Sequence, residues 1–241
     1  MARPIEWTHL VTHLAKLTFS LLVLLAWPHP VVGLVAAVSF FLAGFALTHD
    51  LAHGALGLPR TLNELALSLA AQTNLVSGHT MRRLHARHHA RPLVPDDVEG
   101  AGATMSVWQA LRIGPRNALR YRLEGLKGAR GAERAWVIGE TLLSVGVVLV
   151  VLVTAHVAAL TWVITCLALQ ATMALWASHL PHRPPALLVS LARHLEWTHS
   201  AVIASFLHHG AHHARPWVPC GALAGRDERG RPLGLPSAAS A

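Results

Sequence analysis

Four stretches of this chain, residues 10–27, 31–48, 136–154 and 157–178, are apolar over nearly the length a helix needs to cross a bilayer, about 20 residues. They come in two pairs. Pro28-His29-Pro30 separates the first two and Ala155-His156 the last two, connections short enough to force an antiparallel return. The expected fold is all-α and integral to a membrane, with four transmembrane helices in two hairpins. At 53% hydrophobic and 13% charged, the chain is too apolar for an ordinary soluble domain. No small-residue cleavage site follows the 10–27 run, so it is expected to stay as a helix and not leave as a signal peptide. No stretch alternates in the manner of a strand.

Neither hairpin turn carries Lys or Arg, whereas residues 82–91, 112–134, 183–193 and 215–231 are rich in Arg. The positive-inside rule puts these segments and both termini in the cytoplasm. Lys16, inside the first run, lies close enough to the cytoplasmic end to snorkel. A net charge of +8 also suits a nucleic-acid binder, but no nucleic-acid motif accompanies it. The arginines are assigned to anionic headgroups instead.

Histidine supplies the chemistry. Eight of the 18 histidines fall in three clusters: His49 and His53 in HDLAHG, His85, His88 and His89 in HARHH, and His209, His212 and His213 in HGAHH. Residues three and four apart share one helix face, so HxxxH presents two imidazoles side by side and HxxHH presents three. One HxxHH arises by chance in about one shuffle in ten of a chain this rich in His. Two copies, each followed by Ala-Arg-Pro at 90–92 and 214–216, are far less expected. The charge-derived topology brings all three clusters, with His179 and His182, to the cytoplasmic side. Imidazole binds iron, copper and zinc well, and eight convergent rings exceed what one ion can use. The expectation is a polynuclear metal site at the membrane surface.

The rest of the chain is organised around that site. Residues 62–76 are apolar but contain Asn63, Glu64, Gln72 and Asn74, and read as a cytoplasmic or interfacial helix. Residues 104–135 read as amphipathic helices on the surface, completing a cytoplasmic helical cap that carries the clusters. Residues 1–220 form one membrane-embedded domain, and 221–241, rich in Gly, Ser, Ala and Pro, read as a disordered tail. Cys166 and Cys220 give neither a disulfide framework nor a CxxC metal pair. His9 and His13 read as interfacial side chains, and His29 and His156 fall in the outer turns. His208 breaks the third cluster's pattern, while His79, His194 and His199 read as surface or packing residues. The eight tryptophans suit interfacial anchoring.

HDLAHG, HARHHARP with Pro-Asp-Asp just after it, and HGAHHARPWVP resemble the histidine boxes of the membrane fatty acid desaturase superfamily, over residues 45–219. Leu180-Pro181-His182-Arg183-Pro184 is similar to a segment of bacterial beta-carotene ketolases. The third box carries Gly210-Ala211 where ketolases often have an acidic residue. The resemblance implies an O2-dependent non-haem di-iron oxidoreductase in a bacterial inner membrane. Its metal ligands would be His49, His53, His85, His88, His89, His209, His212 and His213, with His182, or His179 in its place, as the ninth.

Asp50, Asp96 and Asp97 are candidates to hydrogen-bond ligand imidazoles, or to pair with Arg82, Arg83, Arg87 or Arg91. Soluble di-iron sites use many carboxylates, and this chain has only 12 Asp and Glu, so a histidine-rich di-iron site is the consistent form. Iron would supply the oxygen chemistry that unactivated C–H bonds demand. The substrate is a lipid or isoprenoid hydrocarbon drawn from the bilayer. Desaturation or hydroxylation of a fatty-acyl chain is favoured, with carotenoid ketolation or hydroxylation as the alternative. Electrons would come from a separate donor such as ferredoxin, and no nucleic acid is involved. A metal transporter would place ligands near the bilayer midplane, where this chain has only Glu140 and Gln170. A headgroup-binding scaffold leaves the repeated HxxHH unexplained.

Overall fold

A computed structural model describes residues 3–26, 29–198 and 200–223. Helices α1 (Trp7–Ala26), α2 (Pro30–Ala52) and α6 (Gly131–Thr154) are each long and apolar enough to cross a membrane. Pro30 opens α2, where its missing N–H costs nothing. The fourth apolar run differs from the straight span expected over 157–178. Helix α7 (Val157–Ala171) breaks at Thr172, and a π-helical turn (Ala174–His179) followed by the short α8 (Leu180–His182) continues at an angle of 52°. Gly114 permits that bend to be gripped, since a Cβ there would collide with the Ala171 carbonyl. No strand occurs among the described residues. The outward faces of the long helices expose apolar side chains such as Phe19, Leu22, Leu142 and Val153, the surface expected where the solvent is lipid.

Residues 62–76 are not confined to the surface, although Leu62, Leu65 and Leu69 remain exposed. Helices α3 (Arg60–Gln72) and α4 (Gly78–Ala90) form a hairpin whose tip, 73–77, is pushed between α2 and α7. Asn74 Nδ2 donates to the Phe41 carbonyl at 2.8 Å. Phe41 precedes His49 by eight residues, so the tip reaches about 12 Å down the bundle from the His49 level. Leu75 packs there with Phe41, Val163 and Cys166. Its left-handed backbone (φ 53) costs about 1–2 kcal/mol, the order of what burying a Leu side chain returns. Gly44 lets α2 touch Thr73, because any Cβ there would strike the Thr73 hydroxyl.

Irregular backbone this deep needs partners from protein, since lipid offers none. Trp162 Nε1 donates to the Thr73 carbonyl at 2.8 Å, Gln170 Nε2 to Asn74 at 2.6 Å and Arg122 Nη2 to Leu75 at 3.1 Å. From α6, Glu140 accepts from Ser68, from Ser77 Oγ at 2.5 Å and from the His79 backbone at 3.3 Å. His79, fully buried and stacked on Trp136, places its two ring nitrogens 2.7 Å from Glu140 and from Glu64. The polar residues that stood out in the spans, Glu140 and Gln170, thus anchor the hairpin that carries the second histidine cluster.

The remaining elements close the site end of the bundle. Helix α5 (Val107–Gly128) starts with a capping box between Ser106 and Gln109 and packs on α4 and the bend in the fourth run. Helices α9 (Ala186–His194), α10 (Ala201–Leu207) and α11 (His209–Ala214) lead to the third cluster. Residues 221–223, expected in the tail, are ordered. Ala222 ends a 3-10 turn begun at Cys220, and Leu223 is buried beside Ala46 and Ala201. The rest of the expected tail, 224–241, lies outside the described residues, as does His199.

Candidate metal centre

The end of α2 presents His49 and, just beyond its last turn, His53 one helical turn away. Helix α4 presents His85, His88 and His89, and α11 presents His209, His212 and His213. The bend of the fourth run turns α8 inward and delivers His182. These nine residues converge. His49, His53, His85 and His212 each offer a ring nitrogen within 4.8 Å of the others, and His88, His182, His209 and His213 form a second such group. His89 stands between them, with Nε2 3.1 Å from His85 Nε2 and 2.9 Å from His212 Nε2, and its ring centroid 4.3 Å from that of His213.

Several imidazoles are held from behind. His88 Nδ1–H donates to Asp97 Oδ2 at 2.7 Å and His182 Nδ1–H to the Ser178 carbonyl at 2.8 Å. His85 Nδ1 shares a 2.6 Å hydrogen bond with Glu99, which also accepts from the Tyr121 hydroxyl. His49 Nδ1 lies 3.3 Å from Cys220 Sγ and 3.6 Å from Asp50 Oδ1. With Nδ1 committed, Nε2 is the nitrogen each ring turns to the cluster. Asp97 is fixed in turn by the backbone N–H groups of Leu93, Glu99 and Gly100.

The electrostatics hold most of these rings neutral, while His88 is shifted the other way: against its burial, the hydrogen bond to Asp97 and the nearby Glu99 raise it. Burial, and then the repulsion of neighbouring imidazoles, pushes His53 and His209 down to about 2, His89 to about 3 and His213 to about 4. The same causes act on His85 and His212. Burial would raise Asp97, but hydrogen bonds from His88 and the Gly100 backbone hold it at about 2. Burial pushes Glu99 up to about 8 against the pull of His88 and Tyr121.

This donor set fits a cation. His53 Nε2, His89 Nδ1, His212 Nδ1 and His213 Nε2 are buried polar atoms with no hydrogen-bond partner. A buried, unsatisfied polar atom costs about 1–3 kcal/mol, and the Nε2 atoms of His85, His89 and His212 crowd within 3.4 Å of one another, an arrangement of lone pairs that a cation would satisfy. Neutral imidazoles whose nitrogens face one another are ready metal ligands.

Beside the cluster lies a cavity of about 620 Å³, within the range of ligand pockets. Its walls include His49, His85, His88, His209 and His212 at the metal end and Phe41, Phe45, Leu169, Trp176, Leu191 and Phe206 elsewhere.

One sequence expectation changes, that for His13; Asp96 and His179, each read with an alternative, lie outside the two histidine groups. Asp96 does not approach a histidine and pairs with Arg87 at the surface. His13 is buried, not interfacial, and its Nε2–H donates to Asp50 Oδ2 at 3.0 Å. His179 turns Nδ1 to the Gly102 carbonyl and joins neither group of four. Glu99, Tyr121 and Cys220 went unread in the sequence. Glu99 had a local signal, standing two residues beyond Asp97, while Cys220 is joined to Asp50 only through the fold, its N–H donating to Oδ1 at 3.1 Å.

The fatty acid desaturase family model matches residues 25–229. No curated protein and no solved structure matches the chain significantly.

Proposed function

Because the chain belongs to the fatty acid desaturase family, we propose that its nine convergent histidines hold two iron ions and that it oxidises a fatty-acyl chain with dioxygen, by desaturation or hydroxylation. The observation that carries this reading is the pair of four-histidine groups opening on an apolar cavity. His49, His53, His85 and His212 hold one ion, His88, His182, His209 and His213 the other, and His89 lies between them. His182 is the ninth ligand in preference to His179, whose ring faces Gly102.

Bound iron supplies the oxygen activation that acid–base side chains cannot. The chain's own residues bind, orient and exclude. Asp97, Glu99 and the Ser178 carbonyl fix the rings of His88, His85 and His182, so the ligand lone pairs are aimed before a metal arrives. Phe45 and Trp176, packed edge to face with centroids 5.0 Å apart, form the apolar wall nearest His49. That wall lays a hydrocarbon beside the histidines and keeps bulk water off it. The arginine distribution supports a multi-pass bacterial inner-membrane protein with the histidine end and both termini in the cytoplasm.

One observation favours a second substrate class. Leu180 and Pro181, from the segment similar to beta-carotene ketolases, line the cavity next to His182. Mass-spectrometric profiling of lipids and pigments separates the two, using a bacterial host that makes the protein with or without beta-carotene. New unsaturated or hydroxylated acyl chains, lost in His88→Ala, support the acyl reading. Oxygenated carotenoids transfer the reaction to the isoprenoid. Purified protein carrying no iron overturns both.

A further inference from the structure

Three helices that carry the candidate ligands end in the same way. Helix α4 closes with His89-Ala90-Arg91-Pro92, α8 with His182-Arg183-Pro184 and α11 with His213-Ala214-Arg215-Pro216. The proline disfavours helical backbone in the arginine before it, so each helix stops there. The three arginines adopt nearly one conformation: φ −147 and ψ 71 at Arg91, −138 and 62 at Arg183, −141 and 64 at Arg215. Each directs its backbone N–H to the carbonyl four residues earlier, at 3.0, 2.9 and 3.0 Å.

The three ends meet at one place. His88 lies 5.5 Å from His182 and 4.9 Å from His213 between ring centroids, and His182 lies 6.0 Å from His213. Arg91, Arg183 and Arg215 follow these clusters by one or two residues, so their backbones lie beside the second histidine group. Other arginines of this region have acidic partners: Arg82 pairs with Glu64, Arg83 with Glu133 and Arg87 with Asp96. Among the described residues, no carboxylate pairs with Arg91, Arg183 or Arg215. Arg91 and Arg183 are exposed, and Arg215, His89 and His213 are partly exposed.

We propose that Arg91, Arg183 and Arg215 form the docking face for a small acidic one-electron carrier protein, which passes electrons in at the exposed edge of His89 and His213. The proposal rests on the oxidative reading of the site. Removing two hydrogens from a hydrocarbon while one dioxygen becomes two waters consumes two further electrons and two protons. The carrier is oxidised by one electron in each of two dockings. The chain has two cysteines, both buried and far apart in sequence, too few for an iron–sulfur relay of its own. Electrons must therefore cross the protein surface near the ligands, and fixed cations there speed encounter with an acidic partner. Arg112, Arg116 and Arg120 on α5 are exposed cations that follow no histidine cluster, so headgroup binding predicts similar weight for both arginine sets and a redox partner predicts weight on the first.

The test uses the full chain in zwitterionic nanodiscs, metal-free and iron-loaded, with a plant-type ferredoxin as the probe. The triple variant Arg91→Gln, Arg183→Gln, Arg215→Gln is compared with Arg112→Gln, Arg116→Gln, Arg120→Gln, which removes equal charge from exposed positions on α5. The expected result is ferredoxin binding to metal-free and loaded protein alike. It weakens at least about tenfold in the first variant, with a shallower salt dependence, and by less than about twofold in the second. No binding by wild type, or equal losses in both variants, overturns the proposal. So does a first variant that loses binding to phosphatidylglycerol vesicles while keeping ferredoxin, which assigns the arginines to headgroups. Ferredoxin binding as expected, with no lipid oxidised under any reductant, defeats the oxidative reading and leaves the docking face standing. Oxidation driven by dithionite in both wild type and the first variant, but by ferredoxin only in wild type, supports both.

Discussion

Asp97 Oδ2 sits 2.7 Å from His88 Nδ1, and both side chains are buried. The carboxylate is itself held by three backbone N–H groups from the turn that follows α4. A rigid turn thereby orients a ring in the second histidine group, whereas Asp96 beside it faces Arg87 at the surface. Two adjacent aspartates of one motif thus have separate roles.

Asp97→Ala is expected to lower metal affinity about 10–100-fold while the protein stays folded and membrane-inserted, because the ring loses its orienting partner. Asp96→Ala is expected to leave metal affinity unchanged. Cobalt titration of the metal-free protein, read by its d–d absorption, checks both. Equal behaviour of the two variants contradicts the division of roles.

Glu140→Ala is expected to cost about 3–5 kcal/mol, since it strips a buried network of its acceptor and leaves His79 facing Glu64 alone. Glu133→Ala breaks only the partly exposed pair with Arg83 and should cost less than about 1 kcal/mol. Thermal unfolding in one detergent compares them. The iron content of Glu140→Ala should fall as well, because the α3–α4 hairpin carries His85, His88 and His89.

What was legible in the sequence follows from range. The i, i+3, i+4 spacing of His85, His88 and His89 is local, and so were the apolar runs and their short turns. The depth of the α3–α4 hairpin was not legible, because Asn63, Glu64, Gln72 and Asn74 look like surface residues until their partners are known. Those partners include Glu140, 68 residues beyond Gln72, and Gln170, 96 residues beyond Asn74. His13 shows the same failure: at the start of the first apolar run it read as interfacial, while its actual partner Asp50 lies 37 residues on. The bend after Ala171 left no proline or glycine in the run to announce it.

Stability should also carry a pH signature at Glu64. Burial alone would raise its carboxyl, but hydrogen bonds from Arg82 and His79 outweigh this and hold it below its ordinary value. A carboxyl depressed in the folded state stabilises above its unfolded value and loses that contribution as pH falls through the folded one. Glu64→Gln should therefore lower the unfolding temperature at pH 7, and the gap to wild type should close as pH drops below the ordinary carboxylate range. A gap that persists at acid pH shows that the variant acts through packing.

Gly44 gives the sharpest test of the hairpin's position. A Cβ at this residue meets the Thr73 side chain at the buried tip, whereas one at Gly139 on α6 meets nothing within 4 Å. Gly44→Ala is expected to destabilise by about 1–3 kcal/mol, as overpacking does in a filled core. Gly139→Ala should be neutral or stabilising, because it removes glycine's entropy cost from a helix interior. The double variant Gly44→Ala, Thr73→Ala should recover part of the loss, since it removes the clash with the threonine hydroxyl and leaves the close approaches to Asn74 Oδ1 at 2.8 Å and the residue-73 Cβ at 2.9 Å. Recovery measured by unfolding temperature would place the tip of α3–α4 against α2 inside the bundle; a surface helix at 62–76 would leave Gly44 indifferent to the size of residue 73.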